Sequence, residues 1–309
     1  MSHDTMKELI SAAPHVRLQR GRILVIKVGG SCLQRRSELE TLCAQVATVH
    51  AFGALPVIVH GGGPQADAVQ RALGEEPRKV DGRRVTSATA MRAVRMSMAG
   101  ELNTELAAAL SAAGAPAVGL CAASAGIALA KRRPPMQTTS GIVDFGEVGD
   151  LVAVDTAPLR ALLANGDVPV VCPPASDGTG GFLNVNADSL AAELAIALGA
   201  DRLVLATGAA GILRDPSNPR SLLSVLNLEE LRALRAQGAL VDGMLVKAAA
   251  IERALAGGVP QVHVIGGSDP RALLVELYTN HGAGTMLTRE PHGTTSIPPQ
   301  SAALTTAQA

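Results

Sequence analysis

Five short runs of Val, Ile and Leu, each ending at a turn rich in glycine, proline or threonine, constrain this chain more than any other feature. They are Arg22 to Val28 (RILVIKV), Leu55 to Val59 (LPVIV), Val168 to Val171 (VPVV), Arg202 to Ala206 (RLVLA) and Val262 to Ile265 (VHVI). Runs so short, and apolar on both faces, belong in a buried parallel sheet. Ala/Leu-rich stretches that suit crossover helices follow them, for example Gln65 to Leu73, Ala88 to Ala113, Ser189 to Leu198, Leu228 to Gln237 and Met244 to Ala256. The pattern predicts an α/β protein, an open αβα three-layer sandwich with a mostly parallel central sheet. Ligands of such sheets sit beyond the strand C-termini, where the glycine turns fall. The stretch Ala117 to Val154, punctuated by five glycines, reads as short strands and hairpins at the sheet edge.

Composition narrows the partners. A hydrophobic content of 47% over 309 residues supplies a substantial core, and 27 basic residues balance 27 acidic ones, so no long-range field draws nucleic acid or an anionic membrane. With no Trp, one Tyr and three Phe, the rings that stack single-stranded bases are missing too. A small-molecule partner is expected. Cys32, Cys43, Cys121 and Cys172 are scattered without metal-ligand spacing, and no metal site in the protein is expected. No run matches a membrane span and residues 1–22 do not read as a signal peptide, so a cytoplasmic location is expected.

Two strand ends carry glycine clusters: Lys27 to Ser31 (KVGGS) and His60 to Pro64 (HGGGP). Consecutive glycines let backbone N–H groups converge on an anion at a helix start, and equally they serve tight turns; two at neighbouring strand ends favour the anion. There is no P-loop pattern and no GxGxxG after a strand. Lysine is rare, at five positions against 22 arginines, yet Lys27 ends a buried strand and Lys247 opens a helix. A compact point charge suits both places, although position alone also fits a snorkelling Lys247. Asn184, Asn186 and Asp188 (NVNADS) precede an apolar helix, as its cap or as groups that orient a substrate and a lysine. Arg84, or its neighbour Arg83, could grip a carboxylate or remain a solvated loop residue.

The order KVGG, HGGGP, GRRVT, NVNAD, TGAAG, DGMLVK and GAGTM, from about Lys7 to Thr288, resembles the amino-acid kinase family and, within it, the N-acetylglutamate kinases. The resemblance implies ATP-dependent phosphorylation of the side-chain carboxylate of N-acetyl-L-glutamate to an acyl phosphate, with Mg²⁺ bridging the nucleotide phosphates. It implies that Lys27 and Lys247 stabilise the transferring phosphoryl group while Asp188 holds both. Gly62, Gly63, Arg84 and Asn184 would bind the acceptor, and Gly29, Gly30, Thr207 and Gly211 the nucleotide. Residues 1–20 become an N-terminal helical extension, with Met6 to Ala13 weakly amphipathic and broken near Pro14. Residues 21–289 become the kinase domain, with a substrate lobe of about 21–175 and a nucleotide lobe of about 176–289, and 290–309 a disordered tail. The extension and Gly282 to Met286 match the parts of arginine-regulated members that build a hexamer and an L-arginine site, so a homo-oligomer, dimer or hexamer, is expected. Four places depart from the family pattern: Gly208 after Thr207, Ser124 to Gly126, Ser87 after RVT, and Val241 to Met244. Two other readings therefore stay open, a kinase of a related acceptor such as N-acetyl-aminoadipate and a catalytically weak sensor of arginine or nucleotide.

Overall fold

The computed structural model describes residues 3–215, 217–218, 220–240 and 243–290. Eight strands form the central sheet: β1 (Ile23–Val28), β2 (Leu55–His60), β3 (Ala117–Cys121), β4 (Val168–Cys172), β5 (Arg202–Thr207), β6 (Val225–Asn227), β7 (Gln261–Gly266) and β8 (Thr285–Thr288). Their spatial order is β6-β8-β7-β5-β1-β2-β4-β3. All neighbours are parallel except β7 and β8. The five apolar runs are all strands of this sheet and lie side by side in it, in the order β7-β5-β1-β2-β4.

The helices are α1 (His3–Gln19), α2 (Arg36–Ala51), α3 (Gly63–Ala72), α4 (Ala88–Val94), α5 (Asn103–Ala112), α6 (Ala157–Asn165), α7 (Ala187–Leu198), α8 (Leu228–Ala236), α9 (Gly243–Ala256) and α10 (Ala272–Tyr278). Strand alternation sends Leu24, Ile26 and Val28 into a core shared with α2, α5 and α10. Val25 joins the core on the other face, which it shares with residues of α6, α7, α8 and α9. Lys27, two residues on, shares that second face, and this parity is what aims an ammonium group at α7. Residues after Cys172 and around Ala128–Val154 build a second, four-stranded sheet in the order Phe182–Asn184, Pro174–Ser176, Ala128–Arg132, Gly149–Val154.

Three expectations change. The stretch Ala117 to Val154 supplies only one edge strand of the main sheet, β3; the rest pairs in the smaller sheet and in a hairpin of Met136–Thr138 with Gly141–Val143. Segments this short, with exposed residues between glycines, bury too little to extend a two-faced sheet. The predicted helix Ala88 to Ala113 is broken by a π-helical stretch, Arg95–Leu102. Pro14 lies inside α1 and does not end it. Ala12 and Val16 pack on the core beside it, and that tertiary contact outweighs one lost backbone bond. The tail 291–309 and the pair Val241–Asp242 lie outside the described residues. Among the described residues no helix is long and apolar enough to cross a membrane.

Candidate functional site

The C-terminal ends of β5, β1 and β2 define the site. Beyond β1 and β2 the chain turns through glycine, and the two turns pack directly on each other. A Cβ on Gly30 would lie 2.8 Å from Cα of Gly62 and 2.9 Å from Oε1 of Gln65, so only glycine permits this approach. Gln65 staples the turns together by donating to Gly30 O at 2.9 Å and Leu33 O at 3.3 Å. Gly62 precedes α3 and Gly63 opens it; the first N–H groups of a helix have no intrahelical acceptor and carry its positive end. Among the described residues nothing lies within 4 Å of where a Cβ on Gly63 would stand, and one on Gly29 would make only ordinary contacts, with Ala206 O and Ser31 Oγ at 3.6 Å, so both backbones have room for a ligand.

Behind the turns stands a buried charge cluster. Asn186 caps α7, its side chain accepting from the N–H groups of Asp188 at 2.8 Å and Ser189 at 3.0 Å. That cap sets Asp188 in the first turn, facing β1. Oδ1 of Asp188 lies 2.7 Å from Lys27 Nζ, and Oδ2 lies 3.8 Å from Lys247 Nζ. Lys27 and Asp188 are each only 5% exposed. Two ammonium groups and one carboxylate leave a surplus positive charge in a dry place, where an anion is worth more than in water. Burial pushes the Lys247 ammonium below the ordinary lysine range; Lys27 adds to this and Asp188 opposes it. Lys247 therefore does not snorkel: it points inward, one turn after Gly243, whose carbonyl it approaches at 3.5 Å.

Arg84 is likewise no solvated loop residue. Its guanidinium pairs with Asp67 and donates to Gly63 O and Gln70 Oε1, both at 3.0 Å, so it is tied to α3 beside the HGGG turn. Arg83 points away, toward Met136. Asn184 donates to Thr86 Oγ1 at 3.2 Å, which links NVNAD to RVT through a fully buried threonine. Asp67, Gln65 and Thr86 were not foreseen as site residues. Their only signal was spacing: Gln65 and Asp67 fall in the first turn and a half after the glycines, and Thr86 two residues after Arg84.

On the far side of Lys247 lies a cleft of about 310 Å³. Thr207, Gly208, Gly211, Ile212, Leu240 and Met244 help line it, and it is apolar apart from Thr207 and Lys247. The Thr207 hydroxyl is committed to the loop, donating to Ala209 O at 2.9 Å and accepting from Ala209 N at 3.1 Å. Gly211 borders the cleft, but its missing Cβ answers Leu222 Cδ1 at 2.6 Å and Thr285 Oγ1 at 2.7 Å, a packing demand. Gly208 stands exposed with open space around it. Among the described residues no three His, Cys, Asp or Glu side chains converge as a metal-ligand set.

An open α/β sheet whose central strands end in interlocked glycine turns, around two lysines bridged by one carboxylate, offers backbone N–H groups and surplus positive charge at its strand ends, a combination suited to anions. The chain belongs to the amino acid kinase family, whose model matches residues 22–266. It is 42% identical over 296 residues to an acetylglutamate kinase of Myxococcus xanthus (strain DK1622), covering 94% of this chain and 96% of that protein. Among solved structures it is similar to N-acetylglutamate synthase from Neisseria gonorrhoeae. The complex with coenzyme A and N-acetyl-glutamate matches with a TM-score of 0.81 at 28% identity, over 94% of this chain and 65% of the synthase. The complex with coenzyme A and L-arginine gives 0.76 at 27% identity, over 94% and 66%. This chain thus spans less than two-thirds of the synthase. Carbamate kinase from Giardia lamblia bound to AMP-PNP, 18% identical, shares the fold with a TM-score of 0.64 over 87% of this chain and 99% of that one.

Proposed function

We propose that this chain is an acetylglutamate kinase that transfers the γ-phosphoryl group of ATP to the side-chain carboxylate of N-acetyl-L-glutamate. The observation that carries the reading is the Lys27–Asp188–Lys247 bridge, set between the glycine turns on one side and the apolar cleft on the other. The cleft suits an uncharged base, and Lys247 at its end is where the phosphates arrive. Gly29 and Gly30 approach them from the β1 turn. Gly62 and Gly63 offer N–H groups to the acceptor, with Arg84 and Asn184 completing its pocket. In this division residues 21–175 form most of the acceptor side and 176–289 the nucleotide side, while Asn184 reaches back through the strand it forms with Pro174–Ser176.

A carboxylate acceptor is already ionised near pH 7, so no general base is required. The site agrees with that chemistry, since Asp188 is spent on two lysines and the His60 ring nitrogens are both engaged. An acceptor oxygen attacks the γ-phosphorus, the bond to the β–γ bridging oxygen breaks, and ADP and an acyl phosphate leave without net proton transfer. Lys27 and Lys247 neutralise charge that spreads over the transferring oxygens. A Mg²⁺ ion accompanying ATP would be held by the nucleotide phosphates and would offset their charge; among the described residues no three His, Cys, Asp or Glu side chains converge to hold it.

L-arginine is the effector this reading adds, bound where α1 meets α10. The Glu276 carboxylate there contacts His263 Nδ1 at 2.6 Å and accepts from Ala283 N at 2.6 Å and Gly284 N at 2.9 Å, within the GAGTM segment. Gln19 Oε1, His263 Nε2 and Tyr278 Oη are buried close to it and have no hydrogen-bond partner among the described residues. Orphaned buried polar atoms are costly, and a guanidinium-bearing ligand would satisfy acceptors of this kind. The exposed Ile10 and Leu18 of α1, at 66% each, support self-association through that helix. A cytoplasmic setting suits four unpaired cysteines.

ADP release coupled to a spectrophotometric readout tests the whole reading. Turnover should depend on N-acetyl-L-glutamate, exceed that with N-acetyl-aminoadipate, and fall on adding L-arginine. Binding of nucleotide or arginine without turnover would make the chain a sensor.

A further inference from the structure

The HGGG turn is gripped from behind by the one π-helical stretch among the described residues. Over Arg95–Leu102 the backbone is π-helical, and the Asn103 N–H reaches back five residues to Met98 O. Positions five apart diverge by about 140° on an α-helix, whereas bonds of the i→i+5 kind bring them round to nearly one face. Both Met98 and Asn103 use that face on the turn. A Cβ on Gly62 would lie 2.7 Å from Met98 Cγ and 3.3 Å from Leu102 Cδ2, so the π turn presses on Gly62 itself. The Asn103 amide nitrogen faces His60 Nε2 at 3.0 Å and Val170 O at 3.0 Å, with Leu120 O at 3.3 Å, which anchors it to β4 and β3. Gly119 leaves the space for this amide, because a Cβ there would collide with Asn103 Oδ1.

The chain of hydrogen bonds has one consistent direction. Gly61 O can only accept, so His60 Nδ1, 2.9 Å away, carries the ring proton. The bare Nε2 then accepts from Asn103. Gly61 C=O and Gly62 N–H belong to one planar trans peptide and point opposite ways. Holding the carbonyl against His60 therefore fixes the Gly62 N–H away from it; on the other flank Gly62 N lies 3.0 Å from where a Cβ of Gly30 would stand.

We propose that Asn103, set by the π turn, is a positioning residue for the phosphoryl acceptor: through His60 it aims the Gly62 N–H at the acceptor while touching neither substrate. The proposal rests on the reading that the acceptor binds at Gly62 and Gly63.

Steady-state ADP release with N-acetyl-L-glutamate and ATP varied in turn tests it. In Asn103→Ala the KM for the acceptor should rise roughly tenfold while that for ATP stays within about twofold. Simple structural damage would lower kcat through the active fraction and leave the acceptor KM unchanged, and that pattern overturns the proposal. Deleting Gly100, exposed on the π turn, restores α-helical register and should reproduce the KM rise. Gly100→Ala, whose methyl would meet only Arg95 O at 3.6 Å, should behave as the unmodified chain. If the altered chains fail to fold, imidazole ¹⁵N–¹H spectra of the unmodified chain decide: His60 protonated at Nδ1 supports the relay, and protonation at Nε2 overturns it. An unmodified chain that gives no acceptor-dependent ADP release removes the acceptor reading, and the positioning role with it. Normal turnover in the unmodified chain with an unshifted acceptor KM in Asn103→Ala removes the positioning role alone.

Discussion

Lys27 and Lys247 approach one carboxylate from two elements, and the chemistry asks each for a point charge. A guanidinium is planar and bulkier, and behind Lys27, at 5% exposure, there is no room to re-site it. Lys27→Arg and Lys247→Arg should each cut kcat by about 100-fold or more, the scale of losing a preorganised donor to the transferring group. Near-normal kcat in both would remove the mechanism. The pH profile gives an independent check. Burial, reinforced by Lys27 and opposed by Asp188, holds Lys247 below its ordinary value of 10.5. The charged form is the active one, so turnover is full below the folded-state pKa and is lost as pH rises through it. The alkaline limb of kcat should therefore begin below 10.5, and a limb at or above that value would show that Lys247 does not act as an ammonium. Asp188 and both lysines were legible in the sequence through the family pattern. What the sequence did not show was the commitment of Thr207 to Ala209, which depends on the turn its loop adopts, or the packing demand on Gly211, which comes from the distant Leu222 and Thr285.

At the scale of elements, the five apolar runs were readable because a strand buried on both faces leaves an uninterrupted mark. The π turn left none: Ala88 to Ala113 has helical composition throughout, and only contacts with His60 and Gly62 reveal why the register slips. The end of β2 also stores a pH dependence. His60 is fully buried, and that burial lowers its pKa to about 4, against a weaker raising effect of the Gly61 carbonyl. An unfolded chain binds this proton near pH 6.5, so stability is fully present above 6.5 and is lost as pH falls toward 4. The total is on the order of 3 kcal/mol, of which about 2 should be gone at pH 5. His263 is shifted the same way, so the His60 share is isolated by difference. Urea midpoints at pH 7.5 and 5 should move further apart in the unmodified chain than in His60→Asn; equal separations would mean that His60 is not held neutral.

Across the whole molecule, α1 packs on the core through Ala12 and Val16 and meets α10 at its end, near three buried atoms, Gln19 Oε1, His263 Nε2 and Tyr278 Oη, that have no hydrogen-bond partner among the described residues. Gln19 donates to Leu277 O at the end of α10, and the segment after α10 wraps the Glu276 carboxylate with two backbone N–H groups. The strand β8 that follows, antiparallel to β7, begins at Thr285, whose hydroxyl accepts from Ile212 N at 2.8 Å, beside the apolar cleft. A ligand that completes the α1–α10 cluster can therefore bias the cleft through β8 without touching it, provided the two arrangements of α10 and β8 differ in affinity for that ligand. Removing residues 1–20 takes away Gln19 and the exposed Ile10 and Leu18 while leaving every proposed catalytic group in place. The shortened chain should keep kcat within about twofold, lose most of its inhibition by L-arginine, and show a lower mass by light scattering. Glu276→Gln should lose inhibition with the mass unchanged, because it removes the acceptor charge and leaves the α1 surface intact. Retained inhibition in both chains would place arginine elsewhere, and an unchanged mass after the deletion would free α1 from any part in assembly.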